Sequence, residues 1–174
     1  MITIQDKQFE DFISSVEITE MVSSLASKIS EDYKGQIPLI IPVLNGSFMF
    51  AAELIKQLTI ECEVEFAGVK SYKGIERGKS STGWLTIDNY SILNGRDVIV
   101  VEDIVDSGIT MNKIVSNLLV HSKTVKVVTL LYKLNKSVFL PDYFGRELDD
   151  EFVVGYGMDY NGFGRNLTDI YKLK

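Results

Sequence analysis

An apolar run, Val98-Ile99-Val100-Val101, stops at two acids, Glu102 and Asp103. A third acid, Asp106, follows, and then a small polar turn, Ser107-Gly108-Ile109-Thr110. The run reads as a buried strand and the turn as the opening of a helix. Such a strand delivers carboxylates to its carboxyl end, beside the free N–H groups of a helix N-terminus, where a phosphate is readily held. Acids next to a phosphate nest make electrostatic sense when the ligand also brings hydroxyls or a metal ion. A ribose phosphate with magnesium meets both conditions. No lysine follows the turn in the manner of a Walker A loop, which disfavours nucleoside triphosphate hydrolysis.

The elements that must position these residues follow from spacing. Phe9, Phe12, Ile13, Val16, Met21, Leu25 and Ile29 fall at helical intervals and predict a helix over 7–31. Residues 38–44 form a short buried strand in which Pro42 is an awkward fit. After the turn Asn45-Gly46-Ser47, residues 48–58 read as a helix with Phe48, Ala51, Ala52 and Ile55 on one side. Residues 61–69 alternate as a half-exposed strand, 71–83 are a glycine-bearing mobile loop, and 84–89 resume as a strand. Asn94-Gly95 is a turn, 97–104 the central strand, 109–121 a helix ending at His121, and 124–132 another strand. Beyond it only 152–156 reads as a strand. Alternating strands and helices imply an α/β fold, a mostly parallel sheet with helices on both faces. The strand ends near Leu44, Asp103 and Lys133 then converge on one cleft.

Composition limits the partners. The chain has 174 residues and fits one domain, a core over about 15–135 and a small hood over about 136–174 with the N-terminal segment. The formal net charge of −6 argues against a nucleic-acid binder, which needs a basic face. No apolar run is long enough for a bilayer, and the acid-bearing N-terminus has no signal-peptide design. The single cysteine, Cys62, excludes an internal disulfide, and the expected location is cytoplasmic.

The 98–111 run resembles the phosphoribosyl diphosphate motif of type I phosphoribosyltransferases: hydrophobic pair, acid pair, two apolar residues, then Asp-Ser-Gly-x-Thr. Further stretches resemble the hypoxanthine(-guanine) branch of that family. Residues 43–54 are similar to its first loop, Ser71-Tyr72 to Gly83 to its mobile loop, Leu130 to Lys133 to its purine-contacting segment, and Phe152 to Leu167 to its hood. The resemblance implies a type I phosphoribosyltransferase fold. It implies transfer of the phosphoribosyl group from phosphoribosyl diphosphate to hypoxanthine or guanine with Mg²⁺, and a homodimer or homotetramer. A xanthine-preferring enzyme and a non-catalytic regulator that binds RNA are the competing readings; the charge and the purine-type hood oppose the second.

The resemblance also assigns roles. Asp106 is the catalytic carboxylate near purine N7, against the alternative of a helix N-cap. Glu102 and Asp103 address the ribose hydroxyls directly or through the metal, unless Glu102 pairs with a basic side chain instead. Ser107, Gly108, Ile109 and Thr110 hold the 5′-phosphate, with Gly108 permitting close approach. Asn45, Gly46, Ser71, Tyr72 and Arg165 contact the diphosphate, and Ser71 and Tyr72 lie on a lid. Lys133 donates to the purine 6-oxo group, Phe152 stacks on the base and Val153 adds backbone contacts. Asp159 joins Glu102 and Asp103 in holding Mg²⁺. The bland alternatives are a solvent-facing Lys133, a core Phe152, a loop cap at Asp159 and a surface ion pair at Arg165. Asn45 departs from the family, in which many members carry a cation there and the first-loop peptide can be cis. Diphosphate binding by that loop is then left to Gly46 and Ser47.

Overall fold

The structure, a computed structural model, describes residues 1–70, 84–86 and 90–174. The expected mobile loop, with Ser71 and Tyr72, lies outside them. In chain order the elements are β1 (Ile2–Ile4), β2 (Lys7–Ile13), α1 (Ser15–Asp32), β3 (Leu39–Leu44), α2 (Phe48–Gln57), β4 (Glu63–Val64), β5 (Ala67–Lys70) and β6 (Trp84–Thr86). A 3-10 turn at Tyr90–Leu93 leads to β7 (Asp97–Val105), α3 (Ile109–Leu118), β8 (Thr124–Lys133), β9 (Tyr143–Leu148), β10 (Val153–Val154) and β11 (Ile170–Leu173).

The core sheet runs β6-β5-β3-β7-β8-β9, with β4 beside the start of β3. From β5 to β9 the strands are parallel, and β6 is antiparallel to β5. Side chains alternate across β7: Ile99 and Val101 pack with α1 and α2, Val98 and Val100 with Met111, Ile114 and Leu118 of α3. All four β7 residues are fully buried, and each contributes about 2 kcal/mol by leaving water. The expected parallel sheet with helices on both faces is therefore present. Pro42 fits because it falls opposite the break between Val64 of β4 and Ala67 of β5, where the ladder on that side is already interrupted.

Several expectations are corrected. Residues 7–13 are not the start of a helix. They form β2, pairing with β1 and β11 in a second, antiparallel sheet of order β1-β2-β11-β10, the hood. Phe9 and Ile13 are an even number of residues apart, so a strand also places them on one face, and both are buried. The helix begins only after Ser14, whose hydroxyl accepts from Glu17 N–H while the Glu17 carboxylate accepts from Ser14 N–H at 2.9 Å. In α2 the buried side is Phe50, Ala51 and Leu54, while Phe48 is 43% exposed. Apolar residues surround most of that helix, so periodicity leaves its facing open. Residues 61–69 divide into β4 and β5, and α3 ends at Leu118, three residues before His121. Residues 143–148, placed in the hood from sequence, pair with β8 as β9 and widen the core sheet. No helix among the described residues is long and apolar enough to cross a membrane.

Glu17 joins the two layers. It closes the capping box of α1 and accepts from the Arg146 guanidinium of β9 at 2.8 Å. The Ser14 N–H bond, then the Arg146 bond, lower its pKa from 4.5 to about 2. Its contribution is therefore present above 4.5 and lost as pH falls toward 2. Glu17→Gln should lower the melting temperature at neutral pH, and the gap to the parent should close on acidification; a gap that persists at pH about 2 contradicts the account.

Candidate active site

The carboxyl ends of β3, β7 and β8 converge as the sequence requires. Two adjoining cavities open there. The first, about 340 Å³, is lined by residues that include Gly46, Glu102, Asp103, Asp106, Ser107, Gly108, Thr110, Asp159 and Arg165. The second, about 190 Å³, is lined by Lys133, Phe152, Val153 and Met158 among others. Asp103, Ile104, Asp106 and Asp159 face both. Asp106 thus stands where two bound fragments would meet.

Glu102 and Asp103 lie within β7, which runs on to Val105 rather than fraying at the acids. Both still reach one cavity. Glu102 turns back to accept from Asp103 N–H at 3.3 Å, and Asp103 accepts from Ile104 N–H at 2.8 Å. Glu102 has no ion pair with a base among the described residues. Loss of water around its carboxyl, and then the charge of Asp103, push its pKa well above 4.5. The crowding is possible because Gly46 has no side chain: a Cβ there would lie 1.9 Å from Asp103 Oδ2. The hood closes over the same point, since a Cβ on Gly157 (φ +98°) would lie 2.1 Å from the Gly46 carbonyl oxygen.

The turn Ser107-Gly108-Ile109-Thr110 opens helix α3, as the sequence predicts, and the alternative reading of Asp106 is excluded. Asp106 is not the N-cap of α3; Gly108, at φ +72°, occupies that position. Its conformation leaves the first N–H groups of α3 without carbonyls a turn earlier. Ile109 is 54% exposed, so its part is limited to the backbone, where its N–H lies 3.5 Å from Ser107 Oγ. In the first loop the Leu44–Asn45 peptide is cis. Gly46 lines the first cavity, but Asn45 is exposed and does not. Ser47 is fully buried and its hydroxyl donates to Val43 O at 2.7 Å, so it is not the free donor the sequence suggests.

Lys133 is not a solvent-facing strand end; it is 5% exposed and ion-paired with Asp106 at 3.4 Å and Asp150 at 3.2 Å. Phe152 is not core. It is 45% exposed, supported from behind by Phe9 of β2 and Tyr160, with ring centroids at 6.4 and 6.1 Å. Val153 is buried at the cavity wall. Arg165 pairs with Asp159 at 2.5 Å and donates to Gly157 O at 2.6 Å, while Asp159 also accepts from Gly162 N–H. The alternatives of loop cap and ion pair therefore hold as local bonding, at the cavity wall rather than on the open surface. Sequence reasoning missed Lys136 and Asp150, which pair with Asp106 and Lys133; the Lys133-x-x-Lys136 spacing and the acids before Phe152 were the available signal.

Glu102, Asp103 and Asp159 offer hard oxygen donors, which suit Mg²⁺. Among the described residues no three acidic, histidine or cysteine side chains form a protein-only cage.

A family model described as phosphoribosyl transferase domain matches residues 14–161. The chain belongs to this family, and its sheet and hood are the type I phosphoribosyltransferase fold. It is 40% identical to a hypoxanthine-guanine phosphoribosyltransferase of Lactococcus lactis subsp. lactis, covering 97% of this chain and 93% of the relative. A protein of the same name from Bacillus subtilis is 38% identical, covering 93% and 91%. The solved hypoxanthine phosphoribosyltransferase of Staphylococcus aureus superposes with a TM-score of 0.87 at 32% identity, covering 98% of this chain and 93% of that one.

Burial raises the pKa of Glu102 only in the folded state, so its cost to stability is absent below 4.5 and grows as pH rises above it. Glu102→Gln should melt with the parent at pH about 4 and above it at pH about 8, while losing turnover. A melting difference that is the same at both pH values contradicts this.

Proposed function

We propose that the protein is a purine-salvage enzyme. It transfers the phosphoribosyl group of phosphoribosyl diphosphate to hypoxanthine or guanine, releasing diphosphate and the nucleoside monophosphate. The observation that supports this best is the position of Asp106 between an acid-floored cavity with a phosphate nest and a second cavity walled by Lys133 and an exposed aromatic ring.

In this reading the 5′-phosphate lies on Ser107, Gly108, Ile109 and Thr110, and the ribose hydroxyls donate to Glu102 and Asp103. Those two carboxylates are crowded, and hydroxyl donors or a cation relieve the crowding. Diphosphate reaches Gly46 and Arg165, whose planar fork suits two phosphate oxygens; Ser71 and Tyr72 complete that set, without Asn45, which does not line the cavity. The base lies against Phe152, with Lys133 donating to its 6-oxo group and the Val153 backbone at its edge. Adenine presents a donor at that position and is disfavoured, because a mismatched polar contact in a buried site is costly. As the C1′–diphosphate bond breaks, positive charge grows on the sugar, as in glycoside hydrolysis. The acid floor stabilises that charge, and Asp106 accepts the proton or hydrogen bond of purine N7.

Mg²⁺, when bound through Glu102, Asp103 and Asp159, with waters between, would offset charge on the departing diphosphate. A cytoplasmic location and a homodimer or homotetramer belong to the same reading, being what the family resemblance implies.

The direct test is product formation from hypoxanthine, guanine, xanthine and adenine, each with phosphoribosyl diphosphate and Mg²⁺. Nucleotide should form with hypoxanthine or guanine and not with adenine; no nucleotide from any base overturns the reading, and a clear preference for xanthine replaces the substrate. Asp106→Asn should keep the melting temperature within a few degrees and lower kcat about 100-fold or more. Unchanged turnover would remove Asp106 from the chemistry.

A further inference from the structure

The transfer reading uses Lys133 and Asp106 and leaves two charged neighbours without a task. Lys136 Nζ lies 3.0 Å from Asp106 Oδ1 and 2.9 Å from Asp150 Oδ1. Lys133 Nζ reaches the same two carboxylates, at 3.4 and 3.2 Å. Two cations and two anions thus alternate around a closed ring. The side chains of Lys136 and Asp150 are 43% and 73% exposed, so their ion pair adds little to folding stability. Its energetic weight falls instead on Lys133, whose side chain is only 6% exposed and which needs a counter-ion once out of water.

Binding of a 6-oxopurine disturbs this ring on one side. Lys133 must turn to the base's 6-oxo group and Asp106 to its N7, so their mutual pair opens. Asp106 then shares or takes up a proton, and its charge is no longer available to Lys133. Asp150 is the other carboxylate paired with Lys133, and Lys136 is the other cation paired with Asp106, among the described residues. We propose that Asp150 and Lys136 are positioning residues of the transfer reaction: Asp150 is the standing counter-ion of Lys133, and Lys136 that of Asp106, while the base parts the Lys133–Asp106 pair. This rests on the roles given above to Lys133 and Asp106. Neither residue lines either cavity, so each acts through its partner; Lys133 faces the second cavity and not the first, so the influence of Asp150 falls on the base rather than on the phosphoribosyl donor.

Steady-state kinetics of Asp150→Asn, Asp150→Glu, Lys136→Met and Lys136→Arg separate this role from a structural one. Asp150→Asn should raise KM for hypoxanthine and guanine about tenfold and leave KM for phosphoribosyl diphosphate within about twofold. Lys136→Met should lower kcat about tenfold, and the Glu and Arg variants should recover most of each loss. Melting curves accompany each variant, and a conservative variant that folds keeps the test decisive if its partner does not. The proposal is overturned if Asp150→Asn and Lys136→Met match the parent, or if both KM values and kcat change together without rescue. Impaired Asp106→Asn beside unimpaired Asp150→Asn and Lys136→Met sinks the positioning role and leaves the transfer reading in place; full turnover by Asp106→Asn sinks the transfer reading itself.

Discussion

Two adjacent carboxylates are pressed together at the end of a strand that is buried on both faces, and the rest of the site accommodates that crowding. Glu102 and Asp103 have little freedom to move apart, because β3 pairs with β7 up to Val101 and β8 pairs with it on to Val105. They cannot be solvated freely, because Gly46 and then Gly157 close over Asp103. A crowded acid pair, one member buried and the other half-buried, is costly to a fold with nothing to bind. It becomes useful when a ligand brings hydroxyl donors and a nascent positive charge to the same place. The glycines, the cis first-loop peptide and the hood thus meet at one point, around one concentration of negative charge.

The parts of the molecule legible in the sequence are those in which local pattern and tertiary demand agree. The Val98 to Thr110 run announces strand, acids and helix start in one stretch, and its neighbours β3 and β8 are mostly apolar and buried over most of their length. The site at their carboxyl ends follows from topology alone. What was not legible depends on partners far away in the chain. The spacing of Phe9 and Ile13 satisfies a helix and a strand alike, and pairing with β1 and with β11, some 160 residues on, decides it. The better local signal was Ser14-x-x-Glu17, which marks where the helix starts. β9 escaped notice because Tyr143 to Leu148 carries glycine and charge; it is a strand because β8 offers it an edge.

The hood has a comparable logic. Its strands come from both ends of the chain, and Phe9 from the N-terminal part backs the Phe152 ring that faces the second cavity. Tyr156 donates to Glu53 of α2 at 2.6 Å, and Ser15 N–H donates to Asp169 at 2.6 Å, so the hood is tied to the core at two separate helices. An exposed aromatic ring loses apolar contact with the protein when it faces a cavity. It is held in that orientation by rings behind it and by these ties, ready for a flat partner in front.

The electrostatics explain how an acidic chain can take up a polyanion. With a formal net charge of −6, the overall field repels a diphosphate. The cations at the two cavities do not reverse that field, for in the free protein Arg165 is paired with Asp159, and Lys133 with Asp106 and Asp150. Attraction comes from exchange of partners rather than from unspent charge. In the proposed reading, substrates that together offer phosphate to Arg165, a carbonyl to Lys133 and an N–H to Asp106 replace the Arg165–Asp159 and Lys133–Asp106 bonds with others of similar strength, while Lys133 keeps Asp150. A ligand lacking any one of these leaves a half-buried charge without its partner, which costs more than the bond it gives up. Selectivity at such a site is set by the match of all three groups at once, and long-range charge contributes little to it.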